Sequence, residues 1–213
     1  MKLIGILQST AVRAINVASP SSAKFYGGNL VRALNERYGF LESPTRLGDF
    51  DYKAGVKFLQ GMFDGNLVDV EILESGVKVY CKGGGTDVCD AFLEDLVSAA
   101  IRFGVKFEET PDFRIYSSAI EFEMDGNYDA LFSRINAIGG LIGGCIASYG
   151  GPGDSYRGIG LSFIGLLQGP APDPFRIERR ANHPMDSNVF FSIAPLRNAD
   201  HLNVLREFER LIS

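Results

Sequence analysis

The densest cluster of side chains able to do chemistry is FRIERRANHPMDSN, from Phe175 to Asn188. If Phe175 to Ala181 is extended, Arg176, Glu178 and Arg180 share one face, because side chains alternate along a strand. Phe175, Ile177 and Arg179 then share the other face, and His183 and Asp186 follow in a turn. Guanidinium forks beside an imidazole suit a carboxylate or a phosphate. The same Arg–Glu–Arg row also makes an ordinary solvated ladder of little energetic worth. Both readings stay open, and Arg176, Glu178, Arg180, His183 and Asp186 are the candidate ligand- or partner-binding residues.

Two glycine-rich stretches raise the question of phosphate binding. KGGGTD, Lys82 to Asp87, places three glycines ahead of a predicted helix, a plausible anion nest. Its lysine precedes the glycines instead of following them, and Asp87 and Asp90 repel phosphate, so a strand-to-helix turn is expected. INAIGGLIGGCIASYGGPGDSYRGIG, Ile135 to Gly160, holds nine glycines. Gly139, Gly143 and Ala147 lie four apart, a small-residue spacing that lets backbones approach closely. The segment lacks the basic face of an interfacial helix and the length of a membrane span. We expect Gly139–Gly140 to end a helix, Gly143–Gly144 to pack tightly, and Gly150, Gly151, Gly153 and Arg157 to form a flexible loop that orders on a partner.

Catalytic signals are sparse. His183 and His201 are the two histidines, and neither a zinc-protease nor a nucleophile-elbow pattern is present. Glu121 and Glu123 share a strand face, which can raise a pKa or hold a cation. Acids alternating along a wet strand face are read here as solvating. Cys81, Cys89 and Cys145 have no metal-ligand spacing and read as reduced, buried thiols. No cofactor, metal or catalytic residue is assigned.

The elements that must position these groups follow from periodicity. KLIGILQ, Lys2 to Gln8, reads as a short buried strand, followed by a helix from about Ser22 to Gly39. GVKFLQGMF, LVDVEIL and VKVYCK form a three-stranded meander with turns at Asp64–Gly65 and Ser75–Gly76. A helix over Tyr52 to Phe63 competes with the first strand, but Gly55 and Gly61 weaken it. Asp87 to Phe103 reads as a helix with Thr86 as its cap and Val88, Phe92, Leu96 and Ala99 as its apolar stripe. FRIYSSAIEFEMD is a strand, YDALFSRINAI a helix, and GIGLSFIGLLQ, FRIERRA and SNVFFSIA are strands. A last helix opens at Asn198 and turns Leu202, Leu205, Phe208 and Ile212 inward.

These elements predict an α+β fold, an antiparallel sheet with helices on one face, built as one domain over 1–213. Two similar halves, about 1–110 and 111–213, each read strand, helix, three strands, helix. In topology this order resembles the duplicated saddle of the TATA-binding proteins and the helix-grip folds. No motif accompanies the resemblance, so it implies no function.

Composition bounds the function classes. The 213 residues carry 21 basic and 26 acidic side chains, a net charge of −5, which disfavours coating duplex nucleic acid. After Lys106 there is no lysine but nine arginines, the residue better suited to planar pairing at interfaces. No secretory or membrane-spanning run is present, and a cytoplasmic location is expected. The leading expectation is a non-enzymatic protein-binding or self-assembling protein. Two alternatives are kept: an enzyme for a small molecule or phosphate ligand near Arg176–Asp186, and a single-stranded nucleic-acid binder on an open sheet.

Overall fold

The computed structural model describes residues 1–15, 27–103, 114–133, 136–153, 156–165, 173–184 and 187–213. Its strands are β1 (Lys2–Ala14), β2 (Val56–Phe63), β3 (Asn66–Leu73), β4 (Gly76–Lys82), β5 (Arg114–Glu123), β6 (Gly160–Phe163), β7 (Phe175–Arg179) and β8 (Val189–Ala194). They form one continuous antiparallel sheet in the order β2-β3-β4-β1-β5-β8-β7-β6. Strands β1 and β5 therefore meet at the centre, and β2 and β6 are the edges. The helices are α1 (Gly27–Tyr38), α2 (Thr86–Arg102), α3 (Asn136–Ser148) and α4 (Asn198–Ile212). This is the α+β class predicted above.

Local chemistry explains the meander. Asp64 and Gly65 both take positive φ, 47° and 73°, the geometry of a two-residue hairpin turn. The second turn is Glu74–Ser75, and Gly76 opens β4 instead of sitting in the turn. A Cβ on Gly76 would lie 2.4 Å from the Arg13 carbonyl oxygen, so the close approach of β1 and β4 there needs glycine. A bulge between Phe58 and Gly61 bends the edge strand β2. Gln60 holds positive φ at the bulge, and its N–H donates to Asp69 Oδ1 at 2.7 Å.

One face of the sheet is buried under α1, α2 and α4 in two hydrophobic clusters. The first joins Val68, Val70 and Val79 to Leu34 and Tyr38 of α1 and Phe92 and Leu96 of α2. The second joins Ile120, Phe122, Ile177 and Phe190 to Tyr128 and to Leu205 of α4. A buried polar seam completes this face. Thr86 N–H donates to Asn198 Oδ1 at 2.7 Å, and Asn198 N–H donates to Thr86 Oγ1 at 3.1 Å. The first turns of α2 and α4 thus satisfy one another, and Ser9 Oγ of β1 donates to the same Asn198 oxygen at 3.0 Å.

Several expected boundaries move. β1 runs on to Ala14, and its exposed start makes it anything but a short buried strand. Its buried centre is Ser9, Thr10 and Ala11, polar or small residues that a hydropathy reading passes over. The helix expected from Ser22 is described from Gly27 and stops where Gly39 adopts φ +63°. Gly85, not Thr86, is the N-cap residue of α2, and Arg197, not Asn198, is that of α4; Asn198 Oδ1 instead accepts from Thr86 N–H in the first turn of the neighbouring α2. YDALFSRINAI is not one helix: a 3-10 turn spans Tyr128–Phe132, and α3 opens at Asn136. Gly139–Gly140 does not end a helix, because α3 continues through both to Ser148.

Candidate functional site

Strand β7 has the expected alternation. Ile177 is buried, and Arg179 points inward with it. The Arg179 guanidinium lies 5.2 Å from the Phe190 ring centroid, donates to Asp129 at 2.8 Å and to the Ser187 carbonyl at 2.9 Å. Arg176, Glu178 and Arg180 occupy the opposite face, where Arg176 is exposed and Glu178 and Arg180 are half-buried. Arg180 Nε donates to Glu121 Oε1 at 3.1 Å and its guanidinium sits over the Phe191 ring. His183 Nε2 lies 3.8 Å from the same carboxylate oxygen. Arg176 and Glu178 line a shallow depression of about 340 Å³ with Ile159 to Ser162. Asp186 lies outside the described residues.

The fold therefore gathers Arg180 and His183 around Glu121, an acid that its strand alternation alone marks as solvating. Glu121 is largely covered, while Glu123 is about half exposed. Nothing local signals the difference. Glu121 meets its cations only because β5 pairs with β8 and β8 with β7, placing Phe191 between Glu121 and Glu178.

Beside this charged patch lies a surface of the opposite character. In α3, Gly139 and Gly143 are the buried residues, while Ile138 and Leu141 are 55% and 71% exposed. A Cβ on Gly139 would lie 1.7 Å from the Tyr156 carbonyl oxygen, and Ala147 Cβ would approach a Cβ on Gly153 at 3.2 Å. The small-residue spacing thus serves close packing, but against the chain that leaves the same helix. Gly150 takes φ +81° at the helix end, Gly151 N–H donates to the Ile146 carbonyl at 3.0 Å, and Arg157 is exposed. Tyr149, Ile159, Phe163 and Ile164, along the chain from the end of α3 through β6, are exposed as well.

Strand β6 pairs only with β7 among the described residues, in a register matching Gly160 to Glu178 and Ser162 to Arg176. The other edge is guarded. There the bulge at Gln60 twists β2, and Leu59 exchanges backbone hydrogen bonds with Glu42. From Asn136 to Pro172 the only charged residues are Asp154 and Arg157.

Two buried groups of reactive type are built into the core. His201 is fully buried. Ser192 Oγ donates to the Arg176 carbonyl at 2.6 Å, so it accepts from His201 Nε2–H at 2.8 Å; Nδ1 then accepts from Ser118 Oγ at 2.8 Å. Burial lowers the His201 pKa to about 4, keeping the ring neutral as a clamp between α4 and strands β5 and β8. Cys81 and Cys89 are buried partners, and the Cys89 thiol's hydrogen bond to Cys81 holds Cys81 down at about 7 while Cys89 is pushed up. Cys145, expected to be buried, is exposed on α3. Among the described residues no three His, Cys, Asp or Glu side chains gather to hold a metal, and no helix is long and apolar enough to cross a membrane. Compared with known proteins, the chain matches no family model and no curated sequence, so the functional reading rests on the chemistry of these surfaces.

Proposed function

We propose that this chain is a non-enzymatic protein-binding and assembly protein whose docking face is helix α3 together with the β6 edge. The supporting observation is the exposure of Ile138, Leu141 and Ile142 on a helix that carries no charge. A helix apolar all round is ordinarily buried, and large exposed apolar patches mark interaction sites. The reading as an enzyme for a small ligand draws on the depression at Arg176 and Glu178, but that depression is shallow and Arg180 is already engaged with Glu121. The single-strand nucleic-acid reading fares no better, since acids partner cations on the same face: Glu121 with Arg180, Glu71 with Lys57 and Asp69 with Lys82.

The test is native mass spectrometry of protein purified gently from its own host, alongside Leu141→Glu. The expected wild-type mass exceeds the 23.2 kDa chain by another protein chain, of whatever kind. Leu141→Glu is expected to return the bare chain without lowering the melting temperature. A bare wild-type chain, or an assembly indifferent to Leu141→Glu, rejects the reading.

A further inference from the structure

We infer that the occupant of this face is a second copy of the same chain, joined by antiparallel pairing of β6 with its counterpart across a two-fold axis through Ser162. The inference rests on the docking reading above and names its partner.

Hydrogen-bond direction supports it. Arg179 N–H donates to the Ile159 carbonyl at 2.8 Å, which makes Ile159 and Arg179 a hydrogen-bonded pair of the β6–β7 ladder. In an antiparallel ladder such pairs alternate, so Leu161 and Phe163 also face β7 with their backbone groups. The N–H and C=O of Gly160 and Ser162 point away from β7, to the edge that no other described strand occupies. A two-fold axis at Ser162 pairs Ser162 with itself and Gly160 with Ile164 of the partner copy, using those same groups. The alternation of faces is also kept, because Leu161 then lies opposite the partner copy's Phe163, apolar against apolar.

Charge points the same way. A self-complementary face brings every charge near its own copy, so an isologous interface tolerates no concentrated single sign. On a chain of net charge −5, the segment from Asn136 to Pro172 carries one acid and one base, and Glu178 and Arg176, paired with Gly160 and Ser162 across β6, add one of each sign. A basic protein partner would require acids there, and an anionic lipid surface would require lysine or arginine. The short β6 strand has one blunting device, its four-residue length. Among the described residues it lacks the bulge and the backbone bridge that guard β2; because β2 is guarded, pairing at β6 closes into a dimer and does not propagate through the other edge.

The experiment uses the full chain with Cys145→Ser to remove the exposed thiol. Ser162→Cys is compared with Lys57→Cys on the β2 edge, each equilibrated in glutathione buffer and read by non-reducing gel and intact mass. Hydrogen-bonded antiparallel partners have Cα atoms about 5.5 Å apart, within disulfide reach. Ser162→Cys is expected to give roughly tenfold more covalent dimer than Lys57→Cys, because the paired edges raise the local thiol concentration. Sedimentation velocity on the unsubstituted chain accompanies it. A dimer in sedimentation without the Ser162→Cys cross-link overturns the edge pairing and leaves the docking reading standing. A monomer at all concentrations overturns the second-copy inference, whether the host-derived protein carries a different partner or neutral phosphatidylcholine vesicles pellet it. The docking reading itself falls if the host-derived protein is bare as well, or if its assembly is indifferent to Leu141→Glu.

Discussion

Helix α2 spans 17 residues and sets Cys89, Phe92, Leu93, Leu96 and Ala99 against the sheet, whereas α3 spans 13 and turns Ile138, Leu141 and Ile142 to solvent. Helix α2 separates its chemistry: Asp87 and Glu94 lie exposed opposite its apolar stripe, and Asp90 and Asp95 flank it, paired with Arg114 and Arg37. Such a helix has one way to bury apolar area, and the apolar face of the sheet receives it. Helix α3 has apolar residues on every side and no charge to orient it. Its orientation is decided by Gly139 and Gly143, which let the departing chain close on the helix backbone. The larger side chains are displaced outward. Apolar content alone does not bury a helix; segregation of polar from apolar residues decides which side goes in.

The sharpest test sets one large side chain from each helix side by side. Phe92→Ala removes a fully buried ring packed on Tyr38 and Phe63, and is expected to cost about 3–5 kcal/mol in urea denaturation. Leu141→Ala is expected to stay within about 0.5 kcal/mol of the parent in the monomeric state. If Leu141→Ala costs as much as Phe92→Ala at low protein concentration, α3 is buried within one chain and the contrast collapses.

Helix α4 offers a third mode of attachment, through a neutral histidine. His201 in the folded chain has a pKa of about 4, against about 6.5 when unfolded. The unfolded chain therefore binds the extra proton between these values, and stability rises with pH there. The contribution is complete above about pH 6.5 and is lost as pH falls toward 4, by up to roughly 3 kcal/mol. His201→Gln is expected to remove that part of the pH dependence while keeping hydrogen-bonding capacity toward Ser118 and Ser192. Equal slopes in parent and variant between pH 7 and pH 4.5 would show that the ring does not stay neutral on folding.

Much of this was readable in the chain, and what was not has definite causes. Val68, Val70 and Ile72 alternate with Asp69 and Glu71, and that period alone places β3 with one buried face. The stripe of α2 is as plain. His201 left a fainter trace: it precedes Leu205 by four residues and Phe208 by seven, so it lies on the inward stripe of α4, although its serine partners sit on distant strands. In α3 the glycines broke the pattern, since residues without side chains carry no hydropathy signal for the contacts their backbones make. Glu121 was invisible as an ion-pair centre, because its partners, Arg180 and His183, come from the turn after β7. That proximity is a property of strand order, which local periodicity does not encode.

Gly139→Ala examines the contact that sets the orientation of α3. The added methyl meets the Tyr156 carbonyl, a backbone atom that cannot swing away as a side-chain tip can. Overpacking of this kind costs about 1–3 kcal/mol. Helix propensity acts in the other direction, since alanine improves an isolated helix by about 1 kcal/mol over glycine. The expected result is faster hydrogen exchange at Tyr156 and its neighbours with little change in the amides of α2. Unchanged exchange there would mean that the glycine stripe is not what holds the departing chain.

The smallest effect belongs to the other exposed region near β6, the charged face. Arg180→Gln removes the Nε donation to Glu121 and the contact with the Phe191 ring. The pair is partly solvated, so salt screening and side-chain entropy limit the loss to about 0.2–1 kcal/mol, smaller still at high salt. Dimer formation is expected to be unaffected, because Arg180 lies beyond the end of β7 and outside the uncharged face. A variant that dissociates the assembly without destabilising the chain would move the docking surface from α3 and the β6 edge to the Glu121 cluster. The two exposed regions are thus separable by one substitution in each: Leu141→Glu acts on association at nearly constant stability, and Arg180→Gln acts weakly on stability at constant association.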